Sequence, residues 1–449
     1  MMAKFIFRLL IDSSVLSKVL VIDYLVLRVS SSIASHYYLG MFSSQKLELR
    51  INRLAENLAK KFYKDVDLET IPSRGTLHLM TKAFNSGGHT RVVERWIASS
   101  NVSRQHSILL TKPGKIPKTL SETQNLGAIY VSRNFLFRNV KWIAAELQNY
   151  DQVVAHIHPD DVDAVLAMWI CKRNGSTKIA LFNHADHQFW VGAEVASVVL
   201  EFRSFGAAIT KWERGNSASV VVGLPPRVKT PAKVELKIPQ PTSSRKLLVA
   251  VGRGRKFVDL PRNFSFATFA TEFLTSHEEF DLVIVGPRRL SQIRKLASEL
   301  PGRVTVLPTQ PLNALFALYR TCSVGLDTFP MSGGTVSMDM SYAGLPVVSL
   351  NCPSGLRDIF PGENRTLAED YFSWEAAILN SSRTDKLKLG KATTALENIG
   401  WGVGVDEFLR NPVEFAKPKR LTGVQIGNLA DFLSATEPGL ANFLARRVF

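Results

Sequence analysis

The chain of 449 residues contains only three cysteines, which narrows the chemistry to be considered. Cys171, Cys322 and Cys352 lie far apart and form no CxxC pair, so neither a disulfide framework nor a cysteine-bound zinc site is supported. Each of them lies in or beside an apolar run. We therefore expect reduced thiols in a protein core and a cytoplasmic location.

Long uncharged apolar runs are also missing, and none reaches the about 18 residues that a transmembrane helix requires. Charged residues interrupt the N-terminal apolar segment at Arg8, Asp12, Lys18, Asp23 and Arg28, and no clean signal-peptide cleavage site follows. The amphipathic spacing of this segment leaves two interpretations open. It docks on the protein's own surface, or it makes a peripheral contact with a membrane.

Acidic residues are scarce relative to basic ones. The chain has 39 acidic and 55 basic residues, a formal charge of +16, which suits an anionic partner such as a phosphorylated ligand or a membrane surface. The basic residues are dispersed rather than interleaved with aromatic residues. We therefore expect no nucleic-acid partner.

Strands alternate with helices through most of the chain, which predicts an α/β protein with parallel, doubly wound sheets. We expect a helical N-terminal extension, two Rossmann-like domains joined by a proline-rich linker, and a C-terminal segment. The boundaries of these five parts are 1–70, 71–225, 226–246, 247–420 and 421–449. Within the first domain, the pattern predicts a helix from Glu194 to Phe205 and a strand from Ala207 to Thr210.

Histidines and a carboxylate follow several predicted strands of the first domain. Gly88 precedes a helix that carries His89, while His158, Asp186 and His187 follow later strands. An imidazole that a carboxylate orients can accept a proton from a hydroxyl group. His187, His89 and His158 are therefore candidate bases, and Asp186 is a candidate for orienting one of them or for acting as the base itself.

Two other interpretations of this region stay open. His156, His158, His184, Asp186 and His187 have the side-chain types of a zinc site, although no HExxH or CxxC spacing supports one. Alternatively, His156 and His184 are structural residues whose rings bond to backbone carbonyls.

The second domain contains a strand, a glycine-bearing loop, a helix and a second strand between Val324 and Leu350. Glycines before a helix N-terminus let backbone N–H groups approach an anion, and the helix dipole favours negative charge there. A carboxylate on that helix can accept hydrogen bonds from a ribose. The residues of this predicted nucleotide-diphosphate site are Ser332, Gly333, Gly334, Thr335 and Asp339, joined by a basic turn (Arg253, Arg255, Lys256) and a strand-end turn (Pro308, Thr309).

The stretch RVTVLP and the following LFALYRTCSVGLDTFPMSGGTVSMDMSYAGLPVVSL resemble the catalytic region of O-linked N-acetylglucosamine transferase and its bacterial relatives, in the GT-B glycosyltransferase superfamily. The resemblance implies two Rossmann-like domains facing a cleft, an extra helical N-terminal segment, and C-terminal helices that cross back to the first domain. It also implies that the loop and the helix N-terminus hold the phosphates of UDP and that Asp339 holds the ribose. The segment AFNSGGHTRVVERW, with Gly88, resembles a loop that faces the donor.

Three departures from the family pattern limit these expectations. Gly334 stands where the family has a histidine before the threonine, so one phosphate contact lacks its usual residue. There are no tetratricopeptide repeats, so a protein-acceptor groove of that kind is not supported. The ExxxxxxxE pattern of retaining GT-B enzymes is absent from the second domain, which favours inversion.

Together these features predict a hexosyltransferase-like enzyme that moves a sugar from a nucleotide-diphosphate sugar, with a UDP-sugar favoured. The acceptor would be a hydroxyl or amide of a glycan, a lipid-linked glycan or a protein, as in surface polysaccharide or glycoconjugate synthesis. We expect inversion without a metal or a cofactor. Two alternatives stay open: a metal-dependent hydrolase that uses the His/Asp cluster, and a non-catalytic GT-B-like binding protein.

Overall fold

The computed structural model describes residues 2–12, 20–62, 74–85, 87–101, 103–133, 135–174, 177–216, 218–225, 245–260, 264–287, 289–351, 365–383 and 401–410. These residues belong to two compact units, which are described separately. Unit 1 holds the described residues up to Pro225 together with 401–410, and unit 2 holds those from 245 to 383. Most of the predicted linker and all of the predicted C-terminal segment 421–449 lie outside the described residues.

Unit 1 is built around a parallel sheet. Its strands are β1 (Thr76–Met80), β2 (His106–Leu110), β3 (Leu126–Val131), β4 (Gln152–His156), β5 (Lys178–Asn183), β6 (Val198–Glu201) and β7 (Ser219–Val221). Its helices are α1 (Met2–Asp12), α2 (Leu20–His36), α3 (Gln45–Phe62), α4 (Gly88–Ser99), α5 (Lys118–Ser121), α6 (Leu136–Leu147), α7 (Val162–Asn174) and α8 (Ser204–Trp212). The seven strands lie in the order β3-β2-β1-β4-β5-β6-β7.

The central strands of this sheet are buried along their whole length, as a parallel sheet covered on both faces requires. Successive side chains point to opposite faces, so Leu77 and Leu79 join one apolar core while Met80 joins another. This alternation also places His78 on the face of Met80, where the ring of Trp96 from α4 lies 5.2 Å from the His78 ring. The result is a set of imidazoles enclosed between the sheet and α4.

One predicted pair of elements in unit 1 is wrong. The structure has strand β6 and then helix α8 where the sequence pattern predicted a helix from Glu194 to Phe205 and a strand from Ala207 to Thr210. The β-branched run at Val198 and Val199 pairs in parallel register with β5, where both of its faces are covered. A four-residue buried strand has no alternation to reveal it, so neighbouring strands rather than local pattern decide its conformation.

The N-terminal helices pack on unit 1. Tyr24 of α2 donates a 2.6 Å hydrogen bond to Asp163 of α7, and Glu48 of α3 accepts one of 2.7 Å from the backbone of Gly192. Phe7 of α1 packs edge-on against Phe189. These contacts support the docking interpretation, while membrane contact stays a prediction. Within the described part of the chain, no helix combines the length and apolarity needed to cross a membrane.

A late helix, α14 (Trp401–Arg410), also belongs to unit 1, whereas the predicted boundaries place this stretch in the second domain. Trp401 donates a 2.7 Å hydrogen bond to the carbonyl of Val222, and its ring packs edge-on against Trp96. Trp96 in turn donates to Asp406 Oδ1 at 3.1 Å. The helix is therefore tied to α4 by two indole rings and one carboxylate.

Unit 2 contains the second parallel sheet. Its strands are β8 (Lys246–Val251), β9 (Phe280–Val285), β10 (Val304–Leu307), β11 (Val324–Leu326), β12 (Val347–Leu350) and β13 (Arg365–Ala368). Its helices are α9 (Phe266–Ser276), α10 (Ser291–Glu299), α11 (Leu312–Thr321), α12 (Gly334–Tyr342) and α13 (Tyr371–Ser381). The order β10-β9-β8-β11-β12-β13 reverses direction beside β8, the kind of position where open α/β sheets bind ligands.

Two glycines let the strand-end loops of unit 2 pass each other closely. Gly286 has a φ of +113°, and a Cβ placed there would lie 2.3 Å from the carbonyl oxygen of Gly252. That distance excludes any side chain, and the positive φ would strain one in any case. The backbone after β9 can therefore lie directly against the backbone after β8, next to the basic turn.

Candidate functional site

Asp327 organises the loop between β11 and α12. Its Oδ1 accepts hydrogen bonds from the backbone of Thr328 at 2.9 Å and of Gly333 at 2.7 Å. Its Oδ2 accepts from the hydroxyls of Ser332 at 2.6 Å and Ser349 at 2.8 Å. One buried carboxylate with four donors fixes the path of this loop into the helix.

The N-terminus of α12 is left open by this arrangement. Gly333 is the N-cap residue and provides no side chain to cap the helix. The N–H groups of Val336 and Ser337 bond to the carbonyl of Gly333. Those of Gly334 and Thr335 make no hydrogen bond to any described residue, so two backbone donors at the positive end of a helix dipole remain available to an anion.

The basic turn lies against the same loop. Gly254–Phe257 forms one 3-10 turn after β8, and Lys256 Nζ donates a 2.9 Å hydrogen bond to the carbonyl of Ser332. Arg253 and Arg255 are exposed. The predicted basic and glycine-bearing elements are thus brought together by direct contact, at the carboxyl ends of β8 and β11.

A cavity of about 570 Å³ opens at the same edge of the sheet. This volume lies within the range of small-molecule sites, about 300–1,000 Å³. The lining includes two of the predicted donor-site residues, Pro308 and Thr309, which follow β10. The complete lining is Gly254, Gly286, Pro287, Arg289, Leu290, Pro308 and Thr309.

Asp339 lies in the second turn of α12 and is only 6% exposed. It shares its helix with the open N-terminus, as the sequence pattern predicted. Its role towards a ribose is not visible in the contacts of the described residues and stays a prediction.

In unit 1, Asp186 is held inside an ion pair. Arg203 donates to it twice, from Nε at 2.5 Å and from Nη2 at 2.8 Å, and His187 Nδ1 lies 3.2 Å from its Oδ1. Burial alone would raise the pKa of Asp186, but Arg203 and His187 hold it well below its usual range. Asp186 is therefore an ionised, fully buried carboxylate suited to orienting His187 rather than to accepting a proton.

A second buried carboxylate, Glu201, supports the same loop from β6. Asn183 and Thr210 donate hydrogen bonds to it, and Arg214 bonds to Thr210 and to the carbonyl of Asp186. Burial is the main cause that raises the pKa of Glu201 to about 7. The loop that carries His187 is thus fixed by a network of charged and polar side chains beneath it.

His89 and His158 meet at the carboxyl edge of the first sheet, as predicted. Their rings pack edge-on with centroids 5.5 Å apart. Gly88 begins α4 directly after Gly87, whose φ of +128° requires glycine. The ring of His184 stacks on His89 at 4.0 Å, so a third imidazole belongs to this group. Burial and then the neighbouring His158 lower the pKa of His89 to about 3.

The prediction that the rings of His156 and His184 bond to backbone carbonyls is wrong, because their ring nitrogens bond to other imidazoles. His156 Nδ1 lies 3.0 Å from His184 Nε2, and His156 Nε2 lies 3.1 Å from His78 Nδ1. No sequence motif points to His78 and His106, because separate strands carry them. Among the described residues, no group of three or more potential ligands is placed to hold a metal ion.

Comparisons with known proteins address the fold. No protein-family model and no curated protein matches the chain. Among solved structures, a Thermobaculum terrenum O-GlcNAc transferase is 12% identical, with a TM-score of 0.52, over 96% of this chain and 85% of that one. HepE from Anabaena, in complex with UDP-glucose, is 15% identical, with a TM-score of 0.53, over 75% of this chain and 98% of that one. Sucrose-phosphate synthase from Thermosynechococcus elongatus gives the same four values.

These likenesses show that the chain has the GT-B fold, with its two Rossmann-like units. The resemblance stated from the sequence is confirmed at the level of the fold. The sequence identities are too low to transfer an activity.

Proposed function

We propose that this protein is a glycosyltransferase that moves a sugar from a UDP-sugar to an acceptor hydroxyl or amide, with inversion and without a metal ion. The observation that carries the proposal is the open N-terminus of α12. Its N–H groups at Gly334 and Thr335, which bond to none of the described residues, lie beside a loop that Lys256 contacts directly. This is the chemistry that a diphosphate requires.

The division of roles follows from the chemistry of each unit. In unit 2, the helix N-terminus and the basic turn would stabilise the departing diphosphate, and Asp339 would accept hydrogen bonds from the ribose. Pro308 and Thr309 would border the base in the neighbouring cavity. The family that this sequence resembles has a histidine at the position of Gly334. Because Gly334 provides no side chain, backbone donors and Lys256 would take the place of that histidine.

In unit 1, an imidazole would take the proton of the acceptor. His187 is oriented by the ionised Asp186, whose carboxylate can only accept, so His187 Nδ1 carries the proton and Nε2 is the basic atom. His89 and His158 are the other candidates at this edge. Turnover of His187→Ala should fall more than its affinity for the donor, and a full transfer rate in this variant would place the base elsewhere.

The choice of donor is supported by the solved structures that share the fold, since HepE was captured with UDP and glucose and with UDP-glucose. The acceptor would be a glycan, a lipid-linked glycan or a protein. Docking of α1 to α3 on unit 1 is compatible with a cytoplasmic enzyme that reaches acceptors peripherally at a membrane.

A metal-dependent hydrolase is not favoured, because the ring nitrogens of His156 and His184 bond to each other and Asp186 is held by Arg203. An experiment distinguishes a non-catalytic binding protein from the proposed enzyme. A thermal-shift screen against UDP-, GDP-, CDP- and TDP-sugars should show stabilisation by the UDP-sugars, since a ligand that binds only the folded state raises its apparent stability. Binding without donor hydrolysis or transfer would favour the binding protein.

The decisive test is calorimetric binding of UDP to Asp339→Ala. We expect at least a tenfold loss of affinity, about 1.4 kcal/mol, as for the loss of hydrogen bonds to a charged acceptor. Asp370→Ala is the matched control, because Asp370 is an exposed carboxylate that caps α13 in the same unit. Equal UDP affinity in the Asp339 variant and the native protein would remove Asp339 from the site.

A further inference from the structure

Four imidazoles and one carboxylate form a continuous chain inside unit 1. His106 Nδ1 lies 3.0 Å from His78 Nε2, His78 Nδ1 lies 3.1 Å from His156 Nε2, and His156 Nδ1 lies 3.0 Å from His184 Nε2. At the other end, Asp406 Oδ2 of α14 lies 3.5 Å from His106 Nε2, which is an ion-pair distance rather than a hydrogen bond. His78 and His156 therefore use both of their ring nitrogens to meet two different neighbours.

The sheet topology explains why the chain of histidines is continuous. The four histidines lie on or directly after β2, β1, β4 and β5, which are consecutive neighbours in the sheet. His106 opens β2 and pairs with Thr76, His78 lies in the middle of β1, and His156 ends β4 opposite Met80. The chain of histidines therefore runs diagonally from the amino edge of the sheet to the carboxyl edge, where His89 and His158 lie.

The direction of the hydrogen bonds is set by the carboxylate. No hydrogen bond joins these two buried atoms, but a carboxylate that faces an imidazole nitrogen favours a proton on that nitrogen, so we assign the proton of His106 to Nε2. Every next ring then donates from Nε2 to the Nδ1 of its neighbour. The last ring, His184, is left with an unprotonated Nδ1, which makes no hydrogen bond to any described residue.

The surroundings keep the rings neutral. Burial is the main cause that lowers the pKa of His156 to about 3 and holds the pKa values of His78 and His184 well below their usual range. The rings of Trp96 and Phe182 pack against His156. The charged and titratable groups that act on the chain are Arg104 beside His78, and His89 and His158 beside His184. An extra proton is therefore unfavourable on His78 and His156.

We propose that this chain is a proton relay, in which His184 accepts the proton released by the acceptor and the three inner histidines pass a proton to Asp406. The proposal rests on the proposed function and deepens it, since it assigns the proton of the acceptor to His184 in place of the candidate base His187 and gives that proton a path. His184 is the residue that meets the acceptor, and His156, His78, His106 and Asp406 are positioning residues.

The proton balance closes without any further reactant. The acceptor oxygen forms its bond to the sugar as the bond from the sugar to the diphosphate breaks, and the leaving diphosphate takes that electron pair. The acceptor proton moves to His184 Nδ1 while each Nε2 proton moves to the next Nδ1, and the last reaches Asp406 Oδ2. After product release, the reverse displacement returns one proton to solvent at His184 and restores the starting tautomers.

The first test needs no activity. Nitrogen-15 NMR of the full chain with labelled histidine distinguishes Nε2–H from Nδ1–H tautomers, and variants at single histidines assign the signals. We expect His78, His106, His156 and His184 to be neutral Nε2–H tautomers at pH 7. In Asp406→Leu, and in the isosteric Asp406→Asn, His184 should lose this fixed tautomer although three rings separate it from the substitution.

The control is His277→Gln, which removes an imidazole paired with Glu375 at 2.7 Å in unit 2. This variant should leave the His184 signals unchanged. An Nδ1–H tautomer of His184 in the native protein would overturn the relay. So would an unchanged His184 tautomer in both folded Asp406 variants, with folding checked by circular dichroism.

The second test separates a relay from a merely structural chain. His156→Gln keeps one donor and one acceptor but cannot exchange tautomers, so it should lower kcat at least tenfold with little change in KM for the UDP-sugar. It should also alter the pH profile of kcat, whereas His277→Gln should not. A kcat within twofold of the native value would overturn the relay and favour His187 as the sole base. Absence of transfer by the native protein would instead overturn the proposed function, and the tautomer measurement would still decide the relay.

Discussion

The carboxyl edges of the two sheets are built from different chemical groups. In unit 2 the candidate site consists of backbone N–H groups and lysine around one carboxylate, Asp327, that is saturated by four hydrogen bonds. In unit 1 it consists of imidazole rings, held by ionised or proton-binding carboxylates beneath them. The same fold position therefore carries backbone dipoles on one sheet and imidazole rings on the other. Unit 2 should be sensitive to the loss of one acceptor, and unit 1 to pH.

The largest effect is expected for Asp327→Ala in unit 2. The change removes the acceptor of four hydrogen bonds, and buried donors left unsatisfied should lower the free energy of unfolding of this unit by about 4 kcal/mol. Hydrogen exchange of the β11 and β12 amides measures the loss in unit 2 alone. Asp370→Ala, at the exposed cap of α13, should cost much less. Equal losses in the two variants would contradict the central role of Asp327.

The next effect concerns Glu201 in unit 1. Its folded pKa is raised from 4.5 to about 7, so between these values the folded protein holds a proton that the unfolded chain releases. The stability from this proton is present at low pH and lost as the pH rises through that window. Between pH 5 and pH 7.5, Glu201→Gln should therefore lose about 2 kcal/mol less stability than the native protein.

Urea unfolding followed by tryptophan fluorescence is suited to this measurement. Six of the seven tryptophans belong to unit 1, and only Trp374 belongs to unit 2. Parallel pH dependence in the variant and the native protein would show that Glu201 does not change its protonation on unfolding.

The smallest effect has the opposite sign and concerns His156. Burial lowers its pKa from 6.5 to about 3, so the unfolded chain binds a proton in this window that the folded protein does not. Its contribution to stability is present above pH 6.5 and lost as the pH falls. From pH 7.5 to pH 5.5, His156→Gln should lose about 1.4 kcal/mol less than the native protein. A larger loss in the variant than in the native protein would contradict a neutral His156.

The site of unit 2 was predictable because it is local in sequence. The predicted strand, loop, helix and second strand between Val324 and Leu350 correspond to β11, the Asp327 loop, α12 and β12. Glycines before a helix, with an apolar run on either side, indicate a local structure that spans only about thirty residues. The sequence pattern did not show the role of Asp327, because a carboxylate that follows a strand does not reveal which donors will bond to it.

The errors lie where conformation depends on distant partners. The sequence pattern predicted a helix at β6, because four buried residues show no periodicity. Pairing with β5 and β7 makes this segment a strand. The helix α14 was assigned to the wrong unit because Trp96 and Val222, to which it is tied, precede it by more than 170 residues.

The sequence by itself determined the class of fold and the glycine-bearing loop before α12, because strand and helix periods and glycines before a helix act over short distances. Only the tertiary structure decided the arrangement of the histidines. His78, His106, His156 and His184 are spread over 107 positions, and the parallel register of four strands places their nitrogens within hydrogen-bonding distance. Asp406 lies 3.5 Å from His106 only because α14 packs on α4.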